Sequence, residues 1–444
     1  MPPRNLLTIA LAAALCFASS TFAARTLPGR RFNEVVSLIQ GSHLDPAPTT
    51  SLVDAAIEAA VGRLDEHSEY LRGFRREAVE TALDQEFVGV GLELEWDEAT
   101  REPVVVAAMP RGPAWQAGVT SGTRIIAIDG VPTHGVPLPE VVVRLRGPRG
   151  TSAMLEVRDP AVPHSLDPLV APPTGTTRVV PIVRDLVRME SVLGDRRMAD
   201  GSWLWRLSDA PDVALVRIIG FGEHTAAEFR TALESLAQDD DTDRPPLRGL
   251  VLDLRDNPGG LLTAAVEVCD HLLEEGVIVT TRSRDGGSAP QARHATAGGW
   301  RADVPIVVLV DGLTSSAAEI VAACLQDHRR AVVAGSRTYG KGTVQSILPL
   351  AGGEGLLKLT TAEYLRPSGG RLHRGSHDGD DAFWGVIPDA GLECAPTRAA
   401  LDRLRAWRRR SDTAISVDRT TGPCAIDDVL ARAVARLQDP GHDD

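Results

Sequence analysis

The chain has 444 residues, 43% apolar and 24% charged, an ordinary globular composition on a length that calls for two to four domains. A net charge of −13, with a pI near 5.4, argues against a nucleic-acid or anionic-membrane binder. Aromatic residues are only 4% of the chain, too few for base-stacking platforms.

Residues 1–23 read as a cleaved signal peptide. Arg4 supplies the positive start, Leu6 to Ala18 is apolar apart from Thr8, and Thr21-Phe22-Ala23 offers a small-residue cleavage site. The run is too short to span a bilayer, and Leu15 is too large to precede a lipidated Cys16. An exported protein, periplasmic or secreted, is expected, which leaves peripheral membrane association open. Residues 24–83 then read as helical, with Val35, Val36, Leu38 and Ile39 in one segment and Leu52, Ala55, Ala56 and Ala59 in another.

Residues 84–160 are β-rich. Strands are predicted at Gly91 to Glu95, Pro103 to Ala108, Arg124 to Ile128 and Ala153 to Val157, with a helix at Leu138 to Leu145 and a tight turn at Asp129-Gly130. A Pro-rich linker, Pro160 to Pro173, leads into an α/β region over 161–395. Its short apolar runs (Asp212 to Ile218, Leu250 to Leu254, Pro305 to Val310, Ala331 to Ala334) predict buried strands, and helical patterns follow the middle two. Another strand is predicted at Glu354 to Ala362, and Asp239 to Asp243 reads as a solvated acidic loop. Two helices, near Pro396 to Arg409 and Ala425 to Leu437, close a C-terminal segment over 396–444. Cys269 and Cys324 fall on apolar helix faces as small hydrophobes. Cys394 and Cys424 could pair in an oxidising compartment, and no cysteine has metal-site spacing.

Three segments of the α/β region carry chemistry. In Asp253-Leu-Arg-Asp-Asn-Pro-Gly259-Gly260 a strand runs into two glycines and a helix, which can expose backbone N–H groups near a helix N-terminus. In Leu309-Val-Asp-Gly-Leu-Thr-Ser-Ser316-Ala317-Ala-Glu319 a strand breaks into a helix opened by Ser316. Ser316-Ala-Ala-Glu319 is also a capping box, so the serine is either a helix cap or a nucleophile. The third, Tyr339-Gly-Lys341-Gly-Thr-Val-Gln345, mimics a phosphate-binding loop. Gly342 stands where Ser or Thr would hold magnesium, and Val344 to Leu348 reads as strand. Lys341 is therefore read as reaching into a site 25 positions after Ser316. A serine hydroxyl needs a base to become nucleophilic. Lysine can be that base if burial lowers its pKa by about 3 units, roughly 4 kcal/mol.

These motifs, in this order, resemble the C-terminal processing (tail-specific) serine peptidases. Leu64-Asp-Glu-His-Ser-Glu-Tyr70 resembles the family's N-terminal element, with Glu66 where proline is usual. Phe87-Val88-Gly89-Val90-Gly91, Ala117-Gly118, Ile128-Asp-Gly130 and Leu145-Arg-Gly147 look like a PDZ domain. Thr360 to Tyr364 and Gly385-Val-Ile-Pro-Asp389 follow as in the family. The resemblance implies a crotonase-like layered α/β core with an inserted PDZ domain, Ser316 as nucleophile, Lys341 as base and Gln345 as its partner. It further implies an oxyanion hole from the N–H of Ala317 and of Gly259 or Gly260. Ser315 is a formal competitor for Ser316. The loop Phe87 to Gly91 would capture a substrate's C-terminal carboxylate while the peptide adds as a strand.

The expected activity is an ATP-independent endopeptidase acting on polypeptides with free apolar C-termini, with no metal or organic cofactor and no nucleic acid. The rival is a non-catalytic PDZ/crotonase-like binding or scaffold protein. His373, His377, Asp378, Asp380 and Asp381 offer metal-ligand chemistry, but their Gly-rich loop has no helical spacing and reads as a solvated insertion. The role of residues 374–384 and the oligomeric state are left open. His271, His294 and His328 leave a Ser-His-Asp triad open, though none has a motif around it, and His67 is read as a turn residue.

Overall fold

The computed structural model describes residues 29–160, 175–198, 200–238, 245–283, 290–296, 298–350, 355–375, 378–379, 382–413 and 422–439. The segment read as a signal peptide, most of the Pro-rich linker and the acidic run at 239–243 lie outside these. Two compact units are present: residues up to Leu71 together with Gln345–Thr360, and Arg72–Val344 together with Thr361–Asp444.

In the first unit a helix over 29–42 and a second, Thr49–Val61, precede a strand, Glu69–Leu71. That strand runs antiparallel to the start of Leu356–Leu365, with Glu69 opposite Lys358 and Leu71 opposite Leu356. It interrupts the stretch read as helical, because Asp65 turns the chain. The Asp65 carboxylate accepts the N–H groups of His67 and Ser68 and the Ser68 hydroxyl. His67, read as a turn residue, contributes its N–H to this turn, which Asp65 organises.

The second unit opens with the helix Gly73–Asp84 and holds two layered bodies. The first is a sheet ordered Leu92–Asp97, Glu102–Ala108, Arg124–Ile128, Ser152–Arg158, Thr177–Val183. Its strands bury alternate residues, as period-2 patterning requires. Val105, Ile125, Leu155, Val157 and Ile182 form a core covered by Val141 and Leu145 of the helix Leu138–Leu145. The sheet also takes in a strand beyond the boundary expected at residue 160. Thr177–Val183 pairs with Ser152–Arg158 along its whole length, so the sheet resumes beyond the linker. The strand Glu86–Gly89 pairs with Asp185–Arg188.

The second body is a sheet ordered Val192–Leu193, Val213–Ile218, Gly249–Asp253, Ile306–Val310, Ala331–Gly335, parallel across its last four strands. These strands are almost wholly buried because both faces are covered. Leu250, Leu252, Ile306 and Val308 meet the helices Thr225–Gln238, Leu262–Leu272 and Ala317–Asp327. Val251, Val307 and Leu309 meet Val429, Leu430 and Ala433 of the helix Asp428–Gln438. Cys394 and Cys424, whose pairing the sequence left open, are both free thiols packed against this second cluster. Cys269 and Cys324 are fully buried, as read.

Candidate active site

The strand Ile306–Val310 ends in a turn fixed by Asp311, whose Oδ1 accepts the N–H groups of Asp256, Leu313 and Thr314. The chain then reaches Ser316 at φ 56°, ψ −117°. That conformation is costly for a residue with a β-carbon, on the order of 1–3 kcal/mol. A helix cap ordinarily sits in the extended region and needs no such strain. The strand, sharp turn and helix instead make an elbow of the kind that lifts a nucleophile out of the backbone. Ser315 is buried, its N–H spent on Asn257 O at 2.9 Å, while Ser316 is only half-buried.

The glycine turn approaches from the neighbouring strand. A β-carbon on Gly259, at φ +96°, would fall 2.8 Å from Ser316 Cβ and 3.0 Å from Ala317 N. Only a glycine lets the two turns meet so closely. Gly259 N–H donates to Asn257 Oδ1 at 2.8 Å, and Asn257 Nδ2 to Ile218 O at 2.7 Å, so this N–H is already used. Gly260 is pressed on Phe221, where a β-carbon would fall 1.9 Å from Phe221 O.

Glu319 joins these elements to the lysine loop. It is fully buried, and its carboxylate accepts four donors. Oε1 takes Thr338 Oγ1 at 2.6 Å and Gly340 N–H at 2.7 Å; Oε2 takes Ser316 N–H at 2.9 Å and Lys341 N–H at 2.8 Å. Burial pushes this carboxyl above the usual range, against the pull of the four donors. One side chain thus fixes the backbone of Ser316 relative to that of Lys341. The sequence showed only the capping half of this role.

Residues 212–390 match the model of peptidase family S41, and residues 104–159 match a PDZ domain. The chain is 35% identical over 339 residues to a carboxy-terminal-processing protease of Bartonella bacilliformis, covering 76% of this chain and 71% of that one. The chain belongs to peptidase family S41. A carboxyl-terminal-processing protease of Picosynechococcus is 32% identical over 353 residues, 78% of this chain and 75% of the relative. Among solved structures, the photosystem II D1 C-terminal processing protease aligns at 27% identity and a TM-score of 0.43, over 80% of this chain and 84% of that one. The protein is a serine-type peptidase with a PDZ domain, as the motifs had suggested.

Beneath the peptidase's glycine turn lies a buried ion network. Arg255 binds Asp253 (Nη2 to Oδ2, 2.7 Å) and Asp427 (Nη2 to Oδ2, 2.6 Å; Nη1 to Oδ1, 2.9 Å), and Arg408 donates to Asp253 Oδ2. Burial alone would raise both aspartates, but the two arginines hold them below the ordinary carboxylate range.

The remaining candidates separate clearly. Gln345 lies in the first unit, where its Nε2 donates to Thr360 Oγ1 at 2.8 Å, and Thr360 Oγ1 in turn reaches Asp65. His271 and His328 sit at the C-terminal ends of helices that begin beside Gly260 and Ser316. Eleven residues of helix, about 16 Å, separate them from the elbow, so neither forms a triad with it. His294 lies on an exposed strand. No group of three His, Cys, Asp or Glu side chains placed to hold a metal occurs among the described residues. In the PDZ domain, Phe87, Gly89, Val90 and Gly91 line a groove of about 220 Å³ closed by Val142 and Leu145. Val88 is not among its lining residues; it pairs with Leu186 in the adjoining strands.

Proposed function

We propose that the protein is an exported, ATP-independent endopeptidase in which Ser316 and Lys341 form the catalytic dyad and the PDZ groove takes the C-terminal tails of unfolded or immature proteins. The observation that carries this reading is the Glu319 carboxylate, which binds the strained nucleophile turn and the Lys341 backbone at once.

Neutral Lys341 takes the Ser316 proton as Oγ attacks the scissile carbonyl. The negative charge then forms on the former carbonyl oxygen. Ala317 N–H and Gly260 N–H are its donors, because Gly259 N–H is committed to Asn257. The lysine next passes its proton to the leaving amine. Water, deprotonated by the same amine, releases the acyl group. In the PDZ domain the strand Leu92–Asp97 is the free edge of its sheet, so a peptide can add beside it with its last side chain in the groove.

The test is degradation of an unfolded protein with an apolar free C-terminus by wild type, Ser315→Ala, Ser316→Ala and Lys341→Ala. Wild type and Ser315→Ala should cut and the other two should not. Activity should climb from acid to mildly alkaline pH, since only the neutral amine accepts the proton. Amidating the substrate's C-terminus should weaken cleavage. If no form cuts while all bind the peptide equally, the protein is a binding module.

A further inference from the structure

The segment between Arg371 and Gly385 had no role in the sequence, and its described residues close around the lysine loop. Arg374 N–H donates to Gly340 O at 2.9 Å, and Gly385 N–H to Leu372 O at 3.0 Å. A β-carbon on Gly342 would lie 2.2 Å from His373 N. One on Gly340, at φ +85°, would lie 2.7 Å from the Trp384 ring and 3.0 Å from Arg374 Cβ. The two glycines flanking Lys341 are therefore there to admit this segment.

The Trp384 ring is itself held from several sides. It is 6% exposed, and its Nε1–H donates to Gly379 O at 3.2 Å. Arg337 Cζ lies 3.6 Å and Arg374 Cζ 4.6 Å from the ring centroid. Arg337 also donates to Trp384 O, from Nε at 3.1 Å and from Nη2 at 2.9 Å, and to Ala382 O. Guanidinium groups over an indole face are attracted by its quadrupole, and indole is the best such partner. Nothing in the reaction needs a tryptophan here, yet its ring packs against the residue before Lys341.

We propose that Trp384, clamped by the Arg337 and Arg374 guanidinium groups, is the positioning residue that holds the Gly340–Lys341–Gly342 loop in its reactive geometry. This rests on the reading of Lys341 as the base. Glu319 fixes the loop from the helix side and Trp384 from the other segment, so the lysine's backbone is gripped twice. Displacing such a group by about 1 Å can cost on the order of 100-fold in rate without touching the substrate.

The experiment compares full-length wild type, Trp384→Ala, Trp384→Phe, Arg374→Ala and Lys341→Ala. It reads kcat, KM and the pH midpoint of kcat on an unfolded reporter protein, together with thermal unfolding. Trp384→Ala should lower kcat by about tenfold to 100-fold with KM within about threefold, and should move the pH midpoint. The other ionisable groups at the loop (Glu319, Arg337, Tyr339, His373 and Arg374) are all retained in that variant, but the two guanidinium groups lose their ring, so the midpoint is read against Trp384→Phe, which keeps a ring beneath them. Trp384→Phe keeps a ring and should restore kcat to within about threefold of wild type. Should Trp384→Ala not fold, Arg374→Ala carries the test, since that side chain is exposed, and should lower kcat severalfold at an unchanged unfolding temperature. Unchanged kcat and midpoint in folded Trp384→Ala, or in Arg374→Ala where the tryptophan variant is lost, overturn the brace while leaving the dyad intact. Activity in Lys341→Ala overturns the dyad, and the brace with it.

Discussion

Replacing Glu319 with glutamine exchanges one oxygen for an NH2 group at a point where four donors converge. The amide keeps a single acceptor. Turned one way it deserts Ser316 N–H and Lys341 N–H; turned the other it deserts Gly340 N–H and the Thr338 hydroxyl hydrogen. Thr338 Oγ1 already accepts Val386 N–H at 2.8 Å but has a lone pair left for the amide, so the second orientation is the milder. Two buried donors are stranded either way, at about 1–3 kcal/mol each. Partial relaxation leaves an expected loss of about 2–4 kcal/mol in unfolding free energy. A loop that moves to recover a partner carries Lys341 with it, so kcat should fall by at least about tenfold. Urea unfolding followed by tryptophan fluorescence, with kcat measured on the folded variant, gives both numbers. A variant within about 0.5 kcal/mol and twofold of wild type would refute the claim that this carboxylate organises the site.

Two further perturbations address neighbouring parts of the site. Gly259→Ala, forced to φ +96° with its methyl 2.8 Å from Ser316 Cβ, should displace the serine and lower kcat by about 100-fold or more; wild-type turnover would show that the close approach is dispensable. Asp427→Asn breaks one side of the Arg255 network and should cost about 3–5 kcal/mol in urea unfolding. Asp253 and Asp427 both have lowered folded pKa values, so their stabilisation is complete above the unfolded value near 4 and is lost as pH falls through the folded values. Wild-type stability should therefore decline steeply only below about pH 4, and Asp427→Asn should decline less steeply there. An identical slope in the two proteins would remove Asp427 from the network's linkage.

How far the sequence could be read depended on the range of each interaction. Ser316 and Lys341 stood out because each sits in a local strand-turn pattern whose residues bear on one another. Glu319 could be seen only as the i+3 member of a capping box, since its other partners, Thr338, Gly340 and Lys341, lie 19 to 22 residues on. Arg255 meets Asp427 across 172 residues, a pairing that no local pattern encodes. The strand Thr177–Val183 was not foreseen, because the Pro-rich linker before it looks like a domain boundary, while its pairing with Ser152–Arg158 is a matter of space. Trp384 gave no signal at all. Its contact is with a glycine, and glycines advertise freedom of the backbone rather than the neighbour that requires it.

The ion network beneath the glycine turn has a consequence for the order in which the sheet can be completed. Ser316, Glu319 and Lys341 are all in place on a chain grown from its N-terminus well before Arg408, Asp427 and the helix Asp428–Gln438 follow. Until they do, Arg255 lacks its second acid, and Val251, Val307 and Leu309 have no cover on their face of the sheet. The Ser316 turn and the Lys341 loop thus rest on strands whose second face is closed by residues about 90 to 120 positions further on. A chain that stops before Arg408 should therefore leave this face of the sheet open to water and Arg255 with Asp253 as its one acid.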